Sequence, residues 1–120
     1  MPATIISITD GDTIKVDAFP WPGHTVRVSV RIDGIDTPEI SGKCEREKEM
    51  ALAARDAVIE LVDGGEVVLG DVRHGKYAGR VVARVVLPDG RDLGEELVRR
   101  RLARAYDGRG RRQGWCQAGE

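Results

Sequence analysis

The sequence predicts a mainly β chain with helices, its strands closing into a small barrel. Two features point there. Short segments rich in β-branched and apolar residues recur between turns carrying Gly, Pro or Asp. One amphipathic stretch of helical period falls between the third and fourth of these segments.

The elements follow in chain order. "TIISI" (Thr4 to Ile8) and "TIKVDA" (Thr13 to Ala18) flank "TDGD" and read as the first two strands. "AFPWPGH" holds two prolines and a glycine, so it is a loop. Phe19 and Trp21 in that loop are expected to be packing groups rather than platforms for stacked bases. "TVRVSVRI" (Thr25 to Ile32) alternates strictly: Val26, Val28, Val30 and Ile32 share one face, and Arg27, Ser29 and Arg31 the other. A helix of about 18 residues comes next, with Met50, Ala54, Ala57 or Val58, and Leu61 at helical spacing. Glu45, Glu47 and Glu49 fall in its early turns, where the helix dipole favours anions, and Asp63 to Gly65 end it. "EVVLG" (Glu66 to Gly70) and "RVVARVVL" (Arg80 to Leu87) are the last two strands, separated by "DVRHGKYAG". After the "PDG" turn, Asp92 with Glu95 forms a helix start of the capping-box type. Leu93, Leu97, Val98 and Leu102 give that short helix an apolar side. Five short strands with a helix between the third and fourth suggest an OB-fold: a five-stranded barrel with two or three packed α-helices. Barrels of this kind typically bind oligonucleotides on a curved face, which is an analogy of fold and not of function.

Composition narrows the function classes. The 120 residues fit one domain, spanning 1–120. With 41% hydrophobic and 32% charged residues the chain reads as soluble and globular. No apolar run approaches the roughly 18 residues of a membrane span. No cationic start followed by an apolar segment is visible, and a mature secreted or periplasmic form would read the same way. The net charge of −1 does not announce a nucleic-acid binder. Locally, however, "RRRLARAYDGRGRR" carries Arg99, Arg100, Arg101, Arg104, Arg109, Arg111 and Arg112 against Asp107. Such a stripe attracts phosphates; the plainer reading is a solubilising helix end and tail. Cys44 and Cys116 are the only cysteines; whether they meet is not written in the sequence. Together with His24 and His74 they lack zinc spacing.

Three motifs carry chemistry: "DGDT" (Asp10 to Thr13), "GIDTPE" (Gly34 to Glu39) and "GKYAGR" (Gly75 to Arg80). Each alone reads as a turn, yet all three fall at strand ends of one small barrel. The order "DGDT … VRIDGIDTPE … KYAGR … ELVRRRLARAY" resembles the staphylococcal-nuclease-like (thermonuclease) family from Ile6 to about Tyr106. That resemblance implies an OB barrel with packed helices. It implies a calcium-dependent phosphodiesterase that cuts DNA and RNA with little sequence specificity and leaves 3′-phosphate products. A monomer without a membrane partner is expected. Asp12 and Asp36 match the family's metal carboxylates, and Thr37 the residue offering a backbone carbonyl. Glu39 matches the proposed general base, and Arg31 and Arg80 the two arginines that grip the phosphate. Lys76, Tyr77 and Tyr106 resemble positions lining the nucleotide site.

The chemistry accounts for these residue types. Calcium is a hard ion that takes carboxylate and carbonyl oxygens. Guanidinium donates paired hydrogen bonds to phosphate oxygens in a geometry that lysine lacks. Three departures from the family pattern stand out. "KYAGR" holds one residue more than the commoner "KYGR", an insertion the loop is expected to absorb. Arg101 stands where a glycine is usual after the second helix; a left-handed backbone there would cost an arginine about 1 kcal/mol, a matter of stability more than of catalysis. The C-terminal helix is reduced to a shortened segment, about 107–120, whose glycines disfavour a helix and whose Trp115 and Cys116 are expected to anchor it. The alternative reading is a non-catalytic module binding nucleic acid or protein. Retention of Asp12, Asp36 and Glu39 with both arginines speaks for the enzyme.

Overall fold

The structure, a computed structural model, describes residues 1–75, 79–107 and 114–116. Its strands are β1 (Pro2–Asp10), β2 (Thr13–Ala18), β3 (Val26–Ile32), β4 (Ile35–Asp36), β5 (Glu66–His74), β6 (Arg80–Val86) and β7 (Arg104–Ala105). Helix α1 (Glu45–Leu61) follows β4, and α2 (Leu93–Arg99) follows β6. β1, β2, β3, β6 and β5 close into a barrel in that order, and β4 and β7 form a separate pair. Only β3 and β6 run parallel, with Arg31 opposite Val82; the other barrel neighbours are antiparallel. The fold is therefore the mixed five-stranded barrel with helices that the sequence predicts. β1 and β5 are longer than their apolar stretches, because pairing continues through polar residues.

The alternation of β2 and β3 turns Ile14, Val16, Val30 and Ile32 into the barrel, where Val67, Leu69, Ala83 and Val85 meet them. Ala57 and Val58 of α1 and Leu93 and Leu97 of α2 join the same cluster. α1 buries small residues, Ala51, Ala54 and Ala57, which lets its backbone come close to the end of β1. Its N-cap is Cys44, and Asp92 caps α2 by accepting a hydrogen bond from the Glu95 amide at 3.0 Å. α2 ends with Arg101 left-handed, at φ 61°.

Two expectations fail at the same rim. Phe19 and Trp21 are 37% and 61% exposed, so they are not packing groups. β2 and β3 pair only as far as Ala18 and Val26, and Trp21 in the loop beyond meets His24 edge-on at 5.2 Å. Val26 lies on the apolar face of β3 but is 51% exposed for the same reason.

Trp115 and Cys116 are anchored, as expected. Trp115 is buried, the Arg104 guanidinium lies 3.7 Å over its ring, and Cys116 forms a disulfide with Cys44. Part of the basic stripe is engaged internally: Arg99 and Arg100 pair with Glu96. Arg109, Arg111 and Arg112 lie outside the described residues, as do Lys76 and Tyr77. Among the described residues no helix is long and apolar enough to cross a membrane.

Candidate active site

Asp12 sits where β1 turns into β2, and its main-chain carbonyl accepts from the Ile32 amide at 2.8 Å. Register then sets its neighbours. Thr13 pairs with Asp10 across the turn and with Arg31 on β3. Ser29, two residues before Arg31, pairs with Arg80 on the parallel strand β6. Neighbouring strands thus deliver both arginines to one end of the barrel.

The side chains continue the convergence. Arg31 Nη1 stands 3.4 Å from Asp12 Oδ2 and also donates to the Ile32 carbonyl at 3.1 Å. Arg80 Nη2 donates to Thr13 Oγ1 at 3.3 Å, and Thr13 Oγ1 donates to Asp12 Oδ1 at 3.0 Å. One carboxylate is therefore bracketed by two guanidiniums, directly on one side and through a hydroxyl on the other. The Arg31–Asp12 and Arg80–Thr13 contacts, at 3.4 and 3.3 Å, are at the long end of hydrogen bonding. The Gly75 amide donates to the Arg80 carbonyl at 2.9 Å; the loop expected to absorb the extra residue of "KYAGR" lies outside the described residues.

Asp36 and Thr37 are buried on and just after β4. The Thr37 amide donates to Asp12 Oδ2 at 3.4 Å, which draws the β4 end to the β1–β2 turn. β4 itself is held by β7, where Asp36 faces Arg104 and Ile35 faces Ala105. The Thr37 hydroxyl is buried and meets no hydrogen-bond partner among the described residues.

Glu39 is carried on the loop that leads to α1. Its amide donates to Glu47 Oε2 at 3.2 Å, and the next amide, Ile40, donates to Asp10 Oδ1 at 3.3 Å. Burial raises the pKa of the Asp10 carboxyl from its ordinary value. The Ile40 amide and Arg55 oppose that shift, whereas the charges of Asp12 and Glu39 add to it.

A cavity of about 600 Å³ opens over these groups and is lined by Asp12, Arg31, Glu39, Arg80 and Tyr106. Asp36 and Thr37 do not line it. Asp10, Asp33 and Arg73 do, and they were not singled out from the sequence. Arg73 Nη2 meets Asp33 Oδ1 at 2.8 Å across the mouth of β5 and β3. Asp10 lies inside "DGDT", so its motif was the available signal; Arg73 reaches the cavity only because β5 runs past its apolar stretch. Among the described residues, no three His, Cys, Asp or Glu side chains gather in an arrangement able to hold a metal ion by themselves. The carboxylates lining the cavity include Asp10, Asp12, Asp33 and Glu39; Asp36 and Thr37 are buried outside that lining, with the Thr37 amide on Asp12 Oδ2. Carboxylate oxygens of this kind suit a hard cation completed by water and substrate oxygens.

Residues 29–116 match the family described as "Staphylococcal nuclease homologue". A curated Escherichia coli protein, "Uncharacterized endonuclease", is 27% identical over 103 residues, which is 86% of this chain. The chain spans 60% of that relative's length.

Proposed function

Since this chain belongs to the staphylococcal nuclease homologue family, we propose that it is a calcium-dependent nuclease. It hydrolyses phosphodiester bonds of DNA and RNA with little sequence specificity and leaves 3′-phosphate ends. The observation that carries the reading is Asp12 bracketed by Arg31 and the Arg80–Thr13 pair, on the wall of a cavity that Glu39 also lines. A site whose anionic and cationic walls face each other is what a phosphodiester with a bridging cation requires.

Asp12, Asp36 and the Thr37 carbonyl would hold the calcium ion. When bound, the ion neutralises the scissile phosphate and orients it. Arg31 and Arg80 turn from Asp12 and Thr13 to donate paired hydrogen bonds to the phosphate oxygens. Those donors count for more as charge accumulates on five-coordinate phosphorus. Glu39 accepts a proton from the attacking water as its oxygen bonds to phosphorus and the bond to the 5′ oxygen breaks, the departing oxygen taking a proton from solvent water. The products are a 3′-phosphate and a 5′-hydroxyl. Tyr106, together with Lys76 and Tyr77, would line the nucleotide site. One copy of residues 1–120 would suffice, because every role falls within the chain.

The test is cleavage of single-stranded DNA with calcium and with chelator. Arg31→Ala and Arg80→Ala should each lower kcat by about 10²- to 10³-fold. Glu39→Ala should lower it by roughly 10²- to 10⁴-fold. All three should remain folded by circular dichroism. A folded wild type that cleaves nothing in calcium would reject the reading. Tight binding that survives chelation, without cleavage, would mark a non-catalytic module instead.

A further inference from the structure

Glu47 is a buried carboxylate, 9% exposed, for which the chemistry above has no use. It is the third residue of α1 after the Cys44 cap. A glutamate at that position ordinarily reaches back to the amide of the cap residue itself. Glu47 reaches further. Its Oε1 accepts from the Lys43 amide at 3.1 Å, and its Oε2 from the Glu39 amide at 3.2 Å, eight residues up the chain.

The loop between is shaped around this carboxyl group. The Gly42 amide donates to the Glu39 carbonyl at 2.9 Å and closes a turn. A β-carbon at Gly42 would stand 2.5 Å from Glu47 Cδ, so the main chain lies directly against the carboxyl group. Capping of α1 does not explain this. The Glu47 amide is satisfied separately, by Cys44 Sγ at 3.4 Å, and the carboxylate is spent on the loop.

We infer that Glu47 is a positioning residue for the reaction: it holds the Glu39 main chain so that the Glu39 carboxylate stays over the cavity. The inference rests on the reading of Glu39 as the general base. Hydrogen bonds from amides to an ionised carboxylate are roughly twice as strong as neutral ones. The helix N-terminus favours the negative charge that makes them. A short loop carrying a base needs such a fastening, because a displacement of about 1 Å can cost 10²-fold in rate.

The experiment compares the full-length wild type with Glu47→Ala, Glu47→Gln, Glu39→Gln and the double variant Glu39→Gln/Glu47→Ala. kcat and KM are measured on single-stranded DNA with calcium, well below each protein's own Tm. Glu47→Ala should lose up to about 10²-fold in kcat with KM near the wild-type value. Glu47→Gln, which keeps one acceptor oxygen, should lose less, and it carries the test if the alanine variant does not fold. The double variant should be no slower than Glu39→Gln alone, because Glu47 acts only through Glu39. A residue that merely stabilised the fold would give losses that multiply.

The outcomes separate the two readings. If Glu39→Gln keeps the wild-type kcat, the base assignment falls and this inference falls with it. If Glu39→Gln is inactive while the Glu47 variants keep the wild-type kcat, or raise only KM, this inference alone is overturned. Multiplicative losses in the double variant overturn it as well.

Discussion

A β-carbon at Gly11 would stand 2.9 Å from Ala54 Cβ and 3.2 Å from Thr37 Cγ2. Ala54 has no torsion through which to withdraw, and Thr37 is fully buried. The absence of a side chain at Gly11 is therefore what lets the Asp12 turn press against both α1 and the β4 end. Gly11→Ala should cost about 1 to 3 kcal/mol, the ordinary penalty for overpacking. It should also weaken the proposed calcium binding, since the turn that carries Asp12 must move away from Thr37. The measurement is the rise in Tm on adding calcium, which reports binding to the folded state. Gly70→Ala is the control: the nearest atom to its β-carbon is 3.9 Å away, so it should shift stability by no more than about 0.5 kcal/mol. Equal Tm values and equal calcium shifts for the two variants would contradict the close-packing account.

The end of α2 shows how local chemistry shapes an element. The Leu102 amide donates to the Leu97 carbonyl at 2.9 Å, and the Arg101 amide to the Val98 carbonyl at 3.0 Å. This is the Schellman arrangement, which wants a left-handed residue at Arg101 and normally finds glycine. Arg101→Gly should stabilise the protein by about 1 kcal/mol, raising Tm by about 4 °C, and should leave kcat unchanged. An unchanged or lower Tm would mean that the arginine side chain offsets its own strain. Such features were legible in the sequence because their causes lie within a few residues: the Asp92 cap, the alternation of β3, the glycine-bearing turns. β4 and β7 were not legible. Each is two residues long, and Asp36 is fixed by Arg104, far along the chain. Glu47 was readable only as an acid near a helix start, because nothing local distinguishes a dipole partner from a loop clamp. Trp21 illustrates the converse error: an aromatic between prolines looks like packing until the register shows that the strands have already parted.

At the scale of the whole molecule, the chain is stapled near both ends. The Met1 amino group donates to the Leu69 carbonyl at 2.9 Å, and the Leu69 amide donates to the Met1 carbonyl at 2.7 Å. At the other end, the Cys44–Cys116 disulfide spans 72 residues and joins the C-terminal segment to the loop before α1. Closing a loop of that length restricts the unfolded chain enough to stabilise the fold by about 4 kcal/mol in the chain-entropy model. Against a typical net stability of about 5 to 15 kcal/mol, that is a large share. Such a bond persists where the surroundings are oxidising. Dithiothreitol, or the paired change Cys44→Ser with Cys116→Ser, should lower Tm by roughly 10 to 15 °C. The barrel itself should survive at low temperature, because none of its strand pairings depends on the sulfur atoms. The Glu39 loop should also remain in place there, held by Glu47 and Asp10, so cleavage at low temperature should largely persist. Thiol titration of protein unfolded without reductant should find none free. If it finds two, or if reduction leaves Tm unmoved, the disulfide is not what secures residues 114–116, and the Arg104 contacts with Trp115 and Gly114 remain to do so.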